Sequence, residues 1–187
     1  LEKTLFIARD RFGIKPLYYH IDSNEFIFAS ELKSLINWNP ALKELNLSRV
    51  ADYFTYRYIP APYSVFNNIL KLPAAHCMLI DSNFEIKQWQ YWDLLNSDAV
   101  SRSTRDIVCD TKEILLNSLK EHMVADVPVG SLLSGCYDSG AMVSLLGKES
   151  YCFNTFSIGF ANWDQSEHRY AQLVSDAFSM PLYTEVL

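Results

Sequence analysis

The stretch Val127-Pro128-Val129-Gly130-Ser131-Leu132-Leu133-Ser134-Gly135-Cys136-Tyr137-Asp138-Ser139-Gly140 holds the residues best suited to chemistry. The apolar run at 129–133 reads as a short buried strand, Ser134-Gly135 as its turn, and 141–146 as part of the following helix. A strand that passes at once into a helix leaves the first helical N–H groups without intrahelical partners, aimed past the carboxyl edge of a sheet. That is where phosphates bind. Ser134 and Ser139 add hydroxyl donors, and Asp138 adds a carboxylate suited to a magnesium ion carried by the phosphates. The same residues also make an ordinary strand-to-helix turn with Asp138 or Ser139 as N-cap and no ligand, and spacing alone does not choose between the two. Neither G-x-x-x-x-G-K-[ST] nor G-x-G-x-x-G occurs, which disfavours a Walker-type ATPase and a dinucleotide-binding fold.

Other candidates read more plainly. Cys136 at a helix N-terminus invites a nucleophilic or redox role through a lowered thiol pKa, but no histidine lies near it in sequence. His20, His76, His122 and His168 do not cluster, so no metal site is expected. Tyr53, Phe54, Tyr56 and Tyr58 could form a stacking platform for single-stranded nucleic acid, but without a basic groove they read as core and interdomain packing.

The elements that hold these residues fall into two halves with different periods. At 4–8, 17–21 and 25–29 the chain is rich in β-branched and aromatic residues, and Asp22-Ser23-Asn24 predicts a hairpin between the last two. A short helix follows with Ser30 as N-cap and a stop at Asn39-Pro40. Ser48 opens a second helix, ended before Pro60 and Pro62. A second hairpin turns about Asp81-Ser82-Asn83, between 76–80 and 84–91. From Ser103 the period changes. Ser103-Thr104-Arg105-Asp106 matches a capping box before a long amphipathic helix. Strand 129–133, helix 141–146, strand 152–158, helix 167–178 and a strand after Pro181 then predict a parallel sheet covered on both faces. The polar stretch 94–102 reads as a linker between domains at 1–93 and 103–187.

Composition bounds the function. With 187 residues, 49% hydrophobic and 20% charged, the chain can bury a core and is neither disordered nor membrane-spanning. A net charge of -6 with a pI near 5.2 argues against a nucleic-acid surface, so any anion must be held locally by backbone or a few cations. Cys77, Cys109, Cys136 and Cys152 form no C-x-x-C pair, so neither a zinc knuckle nor a disulfide framework is expected, and a reducing cytoplasm is the default. No apolar run approaches the roughly 20 residues of a membrane helix. Residues 1–10 lack the layout of a signal peptide, and Leu1 in place of an initiator Met suits an internal fragment.

The pattern strand, Leu-Leu-Ser-Gly-x-x-Asp-Ser, helix resembles the pyrophosphate loop of the ATP pyrophosphatase group. The preceding Val127-Pro128-Val129-Gly130 narrows the likeness to glutamine-dependent asparagine synthetases. Ala8-Arg9-Asp10-Arg11-Phe12-Gly13-Ile14-Lys15-Pro16-Leu17-Tyr18-Tyr19, followed by Ala29-Ser30-Glu31-Leu32-Lys33-Ser34-Leu35, is similar to the second half of that family's glutaminase domain. Tyr58-Ile59-Pro60-Ala61-Pro62, Lys71-Leu72-Pro73-Ala74-Ala75-His76 and Tyr91-Trp92-Asp93 resemble the segment leading into its synthetase domain. Thr155-Phe156-Ser157-Ile158-Gly159-Phe160 and the helix at 167–177 resemble that domain's second strand and helix. The likeness covers nearly the whole chain, in the family's order.

The resemblance implies an α+β, antiparallel half of N-terminal-nucleophile hydrolase type, followed by an α/β parallel half of adenine nucleotide α-hydrolase type. It implies ATP and magnesium as cofactors and glutamine and aspartate as substrates. Glutamine would supply ammonia, magnesium-ATP would convert aspartate to an aspartyl-adenylate, and ammonia passing inside the protein would displace AMP. It further implies a homodimer, without nucleic-acid or membrane partners. Asp10 matches the acidic residue that receives the α-amino group of glutamine, although it also suits a turn before Gly13. Arg9, Arg11 and Lys15 read as structural charges. Leu133 and Ile158 match apolar positions flanking the nucleotide. Ser134, Gly135, Asp138 and Ser139 match the pyrophosphate loop, with Asp138 as the magnesium ligand through the pyrophosphate.

Departures matter. The family usually reads Ser-Gly-Gly-x-Asp-Ser-Ser, whereas this chain has Cys136 for the second glycine and Gly140 for the last serine, and the bulky Tyr137 between. If the family glycine serves a positive φ or a close backbone approach to phosphate, a Cβ at position 136 would cost about 1–3 kcal/mol and cripple ATP use. The family's nucleophile is an N-terminal cysteine, which none of the four cysteines matches. Its later Ser-, Gly-, Glu- and Asp-rich loop has no counterpart before Leu187, so this stretch alone is expected to be inert and poorly soluble. A relative with another carboxylate acceptor, and a non-catalytic scaffold with an impaired loop, are the alternatives.

Overall fold

Two aspartates set the two hairpins in the computed structural model, which describes residues 3–96, 101–161 and 167–187. Asp22 Oδ1 accepts from the amides of Asn24 (2.7 Å) and Glu25 (2.9 Å), and Asp81 Oδ1 accepts from those of Asn83 (2.8 Å) and Glu85 (3.0 Å). Each side chain imitates a backbone acceptor and folds the chain back on itself. The chain forms two compact units, residues 1–99 and 100–187. Of the linker expected at 94–102, residues 97–100 lie outside the described residues, and Leu94–Asn96 is a 3-10 turn.

The first unit has strands β1 (Leu5–Ala8), β2 (Tyr18–Ile21), β3 (Phe26–Ala29), β4 (Leu70–Lys71), β5 (His76–Ile80) and β6 (Ile86–Gln90), with helices α1 (Leu32–Trp38) and α2 (Leu47–Tyr56). They make two antiparallel three-stranded sheets, ordered β1-β5-β6 and β3-β2-β4. Because neighbouring strand residues face opposite ways, Tyr19 and Ile21 join a core with Ile7, Leu72, Met78 and Ile80. Tyr18 and Ile27 join another, with Leu35 of α1, Phe66 and Ile69.

Three local expectations are corrected. Ser30 does not cap α1; Glu31 holds that position and makes no side-chain cap bond. The second helix starts earlier than Ser48, because the Asn46 side chain accepts from Arg49 N. Tyr53, Phe54 and Tyr56, on a helix that buries no residue of its own, and Tyr58 just beyond it are exposed rather than core.

The second unit runs α3 (Thr104–His122), β7 (Gly130–Leu132), α4 (Tyr137–Lys148), β8 (Asn154–Gly159), α5 (His168–Ala177) and β9 (Leu182–Val186). The N-cap half of the expected box forms: Ser103 Oγ accepts from Asp106 N (3.2 Å), while the Asp106 carboxylate takes the Ser103 hydroxyl (2.6 Å). Strands β7, β8 and β9 pair in parallel in that order. Leu119 and Met123 from the α3 end, Val143 and Leu146 of α4, and Ala171 and Val174 of α5 converge on one core with Leu133, Phe153 and Met180.

The sheet is therefore not covered on both faces by the described residues. Along β8, Thr155 and Ser157 are buried while Phe156 and Ile158 are exposed, and Leu132 and Tyr183 extend the open face. Phe156 and Tyr183 stack on it, ring centroids 5.4 Å apart. None of the described helices is long and apolar enough to cross a membrane.

Candidate functional site

In the second unit, β7 delivers the chain to the carboxyl edge of the sheet, where Leu133 N donates to Phe156 O (2.8 Å) and its side chain fills the core. Leu133 is fully buried, backbone included, and so belongs to the wall beneath the turn. Gly135 then takes φ +96, and a Cβ there would lie 2.3 Å from Glu167 O, just before α5. Only glycine fits this bend.

Cys136, at φ -70 and ψ 164, occupies ordinary extended backbone and is the N-cap of α4. The positive φ considered for position 136 is thus absent; the left-handed residue is Gly135, one place earlier. Neither Asp138 nor Ser139 caps the helix. The cap is the thiol, with Cys136 Sγ accepting from Ser139 N at 3.4 Å and lying 3.4 Å from Ser139 Oγ. Ser134 Oγ lies 3.2 Å from Ser139 Oγ and accepts from Cys136 N at 3.3 Å. The Ser134 hydroxyl first, then the Ser139 hydroxyl and amide, pull the Cys136 thiol down from its ordinary 9.0 to about 7.

Four of the predicted residues, Ser134, Gly135, Asp138 and Ser139, are thereby gathered in one turn at a helix start. Ser139 N is taken by the thiol, toward which Asp138 N also points, and Gly140 N by Cys136 O, so that among the described residues the Tyr137 amide is the one of the first turn left for a ligand. The Asp138 carboxylate is exposed beside them, and Tyr137 projects almost wholly into solvent. Ile158 is exposed on the open sheet face and, with Ser134, Phe156, Tyr183 and Glu185, lines a cleft of about 930 Å³. That volume suits a nucleotide-sized ligand. The remaining departure is benign: a Cβ on Gly140 would meet Val174 Cγ2 at 3.6 Å, ordinary contact.

In the first unit the charged segment at 9–15 is spent largely on the chain itself. The Arg9 guanidinium donates to three carbonyls, those of Lys15 (2.9 Å), Leu72 (2.6 Å) and Gly13 (2.7 Å). Asp10 Oδ2 accepts from Ile14 N (2.9 Å) and Oδ1 from Lys15 N (3.1 Å), bonds that hold its carboxyl below the ordinary carboxylate value. Gly13 at φ +65 closes the turn. Asp10 does serve the turn, and its carboxylate keeps lone pairs for a further donor. Arg9 is structural, as its residue type implies.

Comparison with known proteins covers both units. Residues 1–92 match the family model described as a glutamine amidotransferase domain, and residues 110–187 match the one described as asparagine synthase. The chain is 36% identical over 179 residues to a putative glutamine-hydrolysing asparagine synthetase 2 of Methanocaldococcus jannaschii, covering 93% of this chain and 34% of that protein. It is 30% identical over 186 residues to the glutamine-hydrolysing asparagine synthetase 1 of Bacillus subtilis, covering 100% and 29%. It is also 31% identical over 147 residues to amidase chyE of Penicillium rubens, covering 77% and 21%. The chain spans about a third or less of the length of these curated relatives.

Proposed function

Because the chain belongs to the glutamine-hydrolysing asparagine synthetase family, we propose that it forms the middle of an ATP-dependent amide-forming ligase. Residues 1–93 supply part of an N-terminal-nucleophile-type glutaminase domain, 94–102 a linker, and 103–187 the start of an adenine nucleotide α-hydrolase-type synthetase domain. In this reading Asp10 receives the α-amino group of glutamine. Ser134, Gly135, Asp138 and Ser139 take the pyrophosphate of ATP, while Leu133 and Ile158 flank the nucleotide. The single observation that carries the reading is the Gly135 bend. It sets a helix start, two hydroxyls and a free carboxylate around one point at the carboxyl edge of a parallel sheet.

The chemistry is adenylation followed by aminolysis. An aspartate side-chain oxygen attacks the α-phosphorus of ATP and pyrophosphate leaves; ammonia from glutamine then attacks the activated carbonyl and AMP leaves with the bonding electrons. A bare carboxylate resists ammonia, and adenylation supplies the leaving group. Magnesium, when bound, neutralises phosphate charge. The exposed Asp138 carboxylate fits it, since magnesium favours one or two carboxylates together with phosphate oxygens. The chain's own part is to aim the Tyr137 amide at the departing phosphates. The working protein is a homodimer in this reading.

Magnesium-dependent release of pyrophosphate from ATP by the complete protein tests this. Release that requires aspartate is the expected result. Release with other carboxylates only would favour a second reading, a different acceptor, which the 30% and 31% identities to two fungal amidases motivate. No release with any acceptor would leave a scaffold.

A further inference from the structure

His20 lies on β2, one residue after Tyr19, and so faces the α1 side of its sheet, as Tyr18 does. It is 8% exposed. Its Nδ1 is 2.7 Å from Asn68 O. A carbonyl only accepts, so Nδ1 carries a proton and Nε2 is the atom left to face the hairpin turn. That nitrogen is buried and has no hydrogen-bond partner among the described residues. Asp22 Oδ2 stands 3.6 Å from it, too far for a hydrogen bond, and Glu25 brings a second carboxylate to the same place. One donor atom from each of the three residues lies within 4.8 Å of the others.

We propose that His20 Nε2, Asp22 Oδ2 and a Glu25 carboxylate oxygen bind a divalent cation of zinc type. The donor set, one imidazole and two carboxylates, selects a borderline metal over magnesium or calcium, which take oxygen only. The His20–Asp22 separation is close to the edge of a tetrahedron with bonds of about 2 Å, roughly 3.3 Å. The outer contacts also match: a ligating histidine usually donates its other N–H to a carbonyl, here Asn68 O. Asp22 is anchored through its other oxygen by the Asn24 and Glu25 amides. Glu25 accepts from Trp38 Nε1 (3.2 Å) and Asn39 Nδ2 (3.3 Å), long bonds that allow it to close on a metal. Asp22 is partly exposed, which leaves the fourth position to water.

The four free cysteines offer zinc competing ligands, so the readout must be specific to His20. Zinc chloride titrated into the metal-stripped full chain, labelled with 15N at histidine, is expected to move the His20 Nε2 resonance saturably at neutral pH. In Asp22→Asn with Glu25→Gln, which keeps acceptors for the turn while removing both charges, affinity at that resonance should fall at least tenfold. An Nε2 that carries a proton and ignores zinc, or an affinity unchanged in the double variant, overturns the proposal.

Discussion

The segments 9–15 and 134–139 are both short polar turns following a strand, yet they use their polar groups oppositely. In the first, Arg9 reaches three carbonyls and both oxygens of Asp10 hold amides, most at 2.6–2.9 Å. In the second, the internal contacts run from 3.2 to 3.4 Å, the carboxylate of Asp138 stands exposed, and the Tyr137 amide at the helix start has no partner among the described residues. The contrast separates a turn whose polar groups mostly bond one another from one whose helix start and carboxylate are left facing solvent. Charged sequence alone does not distinguish them.

The contrast can be broken hardest at Gly135. Gly135→Ala combines a positive φ with a Cβ 2.3 Å from a backbone oxygen that cannot swing away. It should destabilise the second unit by about 3 kcal/mol, from strain and overpacking together. Denaturant unfolding would register this as a lower midpoint for that unit, and pyrophosphate release should be lost with it. A change below about 1 kcal/mol would mean that the bend is not fixed. On the other side, Arg9→Ala should cost the first unit about 2 kcal/mol, because three carbonyls lose a charged donor and are only partly rehydrated. Arg9→Lys should recover little of this, since one ammonium does not reproduce the planar fork.

Local signals were readable wherever a residue encodes its own turn. Asp22 and Asp81 bond amides two to four residues on, and Ser103 bonds Asp106, so both hairpins and the start of α3 fall where the side chains imply. Where two adjacent residues could do one job, sequence does not choose. Asn46 caps α2 ahead of Ser48, and Gly135 rather than position 136 takes the left-handed backbone. Periodicity marks Phe156 and Ile158 as apolar but is silent on what lies over them, hence the uncovered face of β8. The His20, Asp22 and Glu25 group is not visible as a cluster of histidines, because two of its three donors are carboxylates brought in by the hairpin turn. The spacing His-x-Asp-x-x-Glu across a hairpin turn was its signal.

Cys136 sharpens the comparison more gently. Its thiol sits at about 7, below the ordinary 9.0, so it is neutral below that pH and a thiolate above it. As a thiolate it holds Ser139 N more firmly and sets a negative charge beside the proposed phosphate site. The affinity for ATP, measured calorimetrically with the complete protein, should therefore fall as the pH rises from 6 to 8. Cys136→Gly should remove that pH dependence and tighten binding about fivefold at pH 8, the worth of one regained donor. An identical profile in the variant would show that the thiol does not compete with phosphate.

The smallest effect separates the loop from the helix it starts. Gly140 lies in the first turns of α4 with φ outside the left-handed region, and an added Cβ would meet Val174 Cγ2 at 3.6 Å without displacing anything. Glycine inside a helix costs about 1 kcal/mol against alanine, mostly through the freedom it gives the unfolded chain. Gly140→Ala should thus stabilise the second unit by about 0.5–1 kcal/mol, read as a raised thermal midpoint, with pyrophosphate release unchanged. The opposite signs at Gly135 and Gly140, five residues apart, isolate what the turn demands from what the helix merely tolerates. A destabilised Gly140→Ala would place position 140 under the constraint here assigned to Gly135 alone.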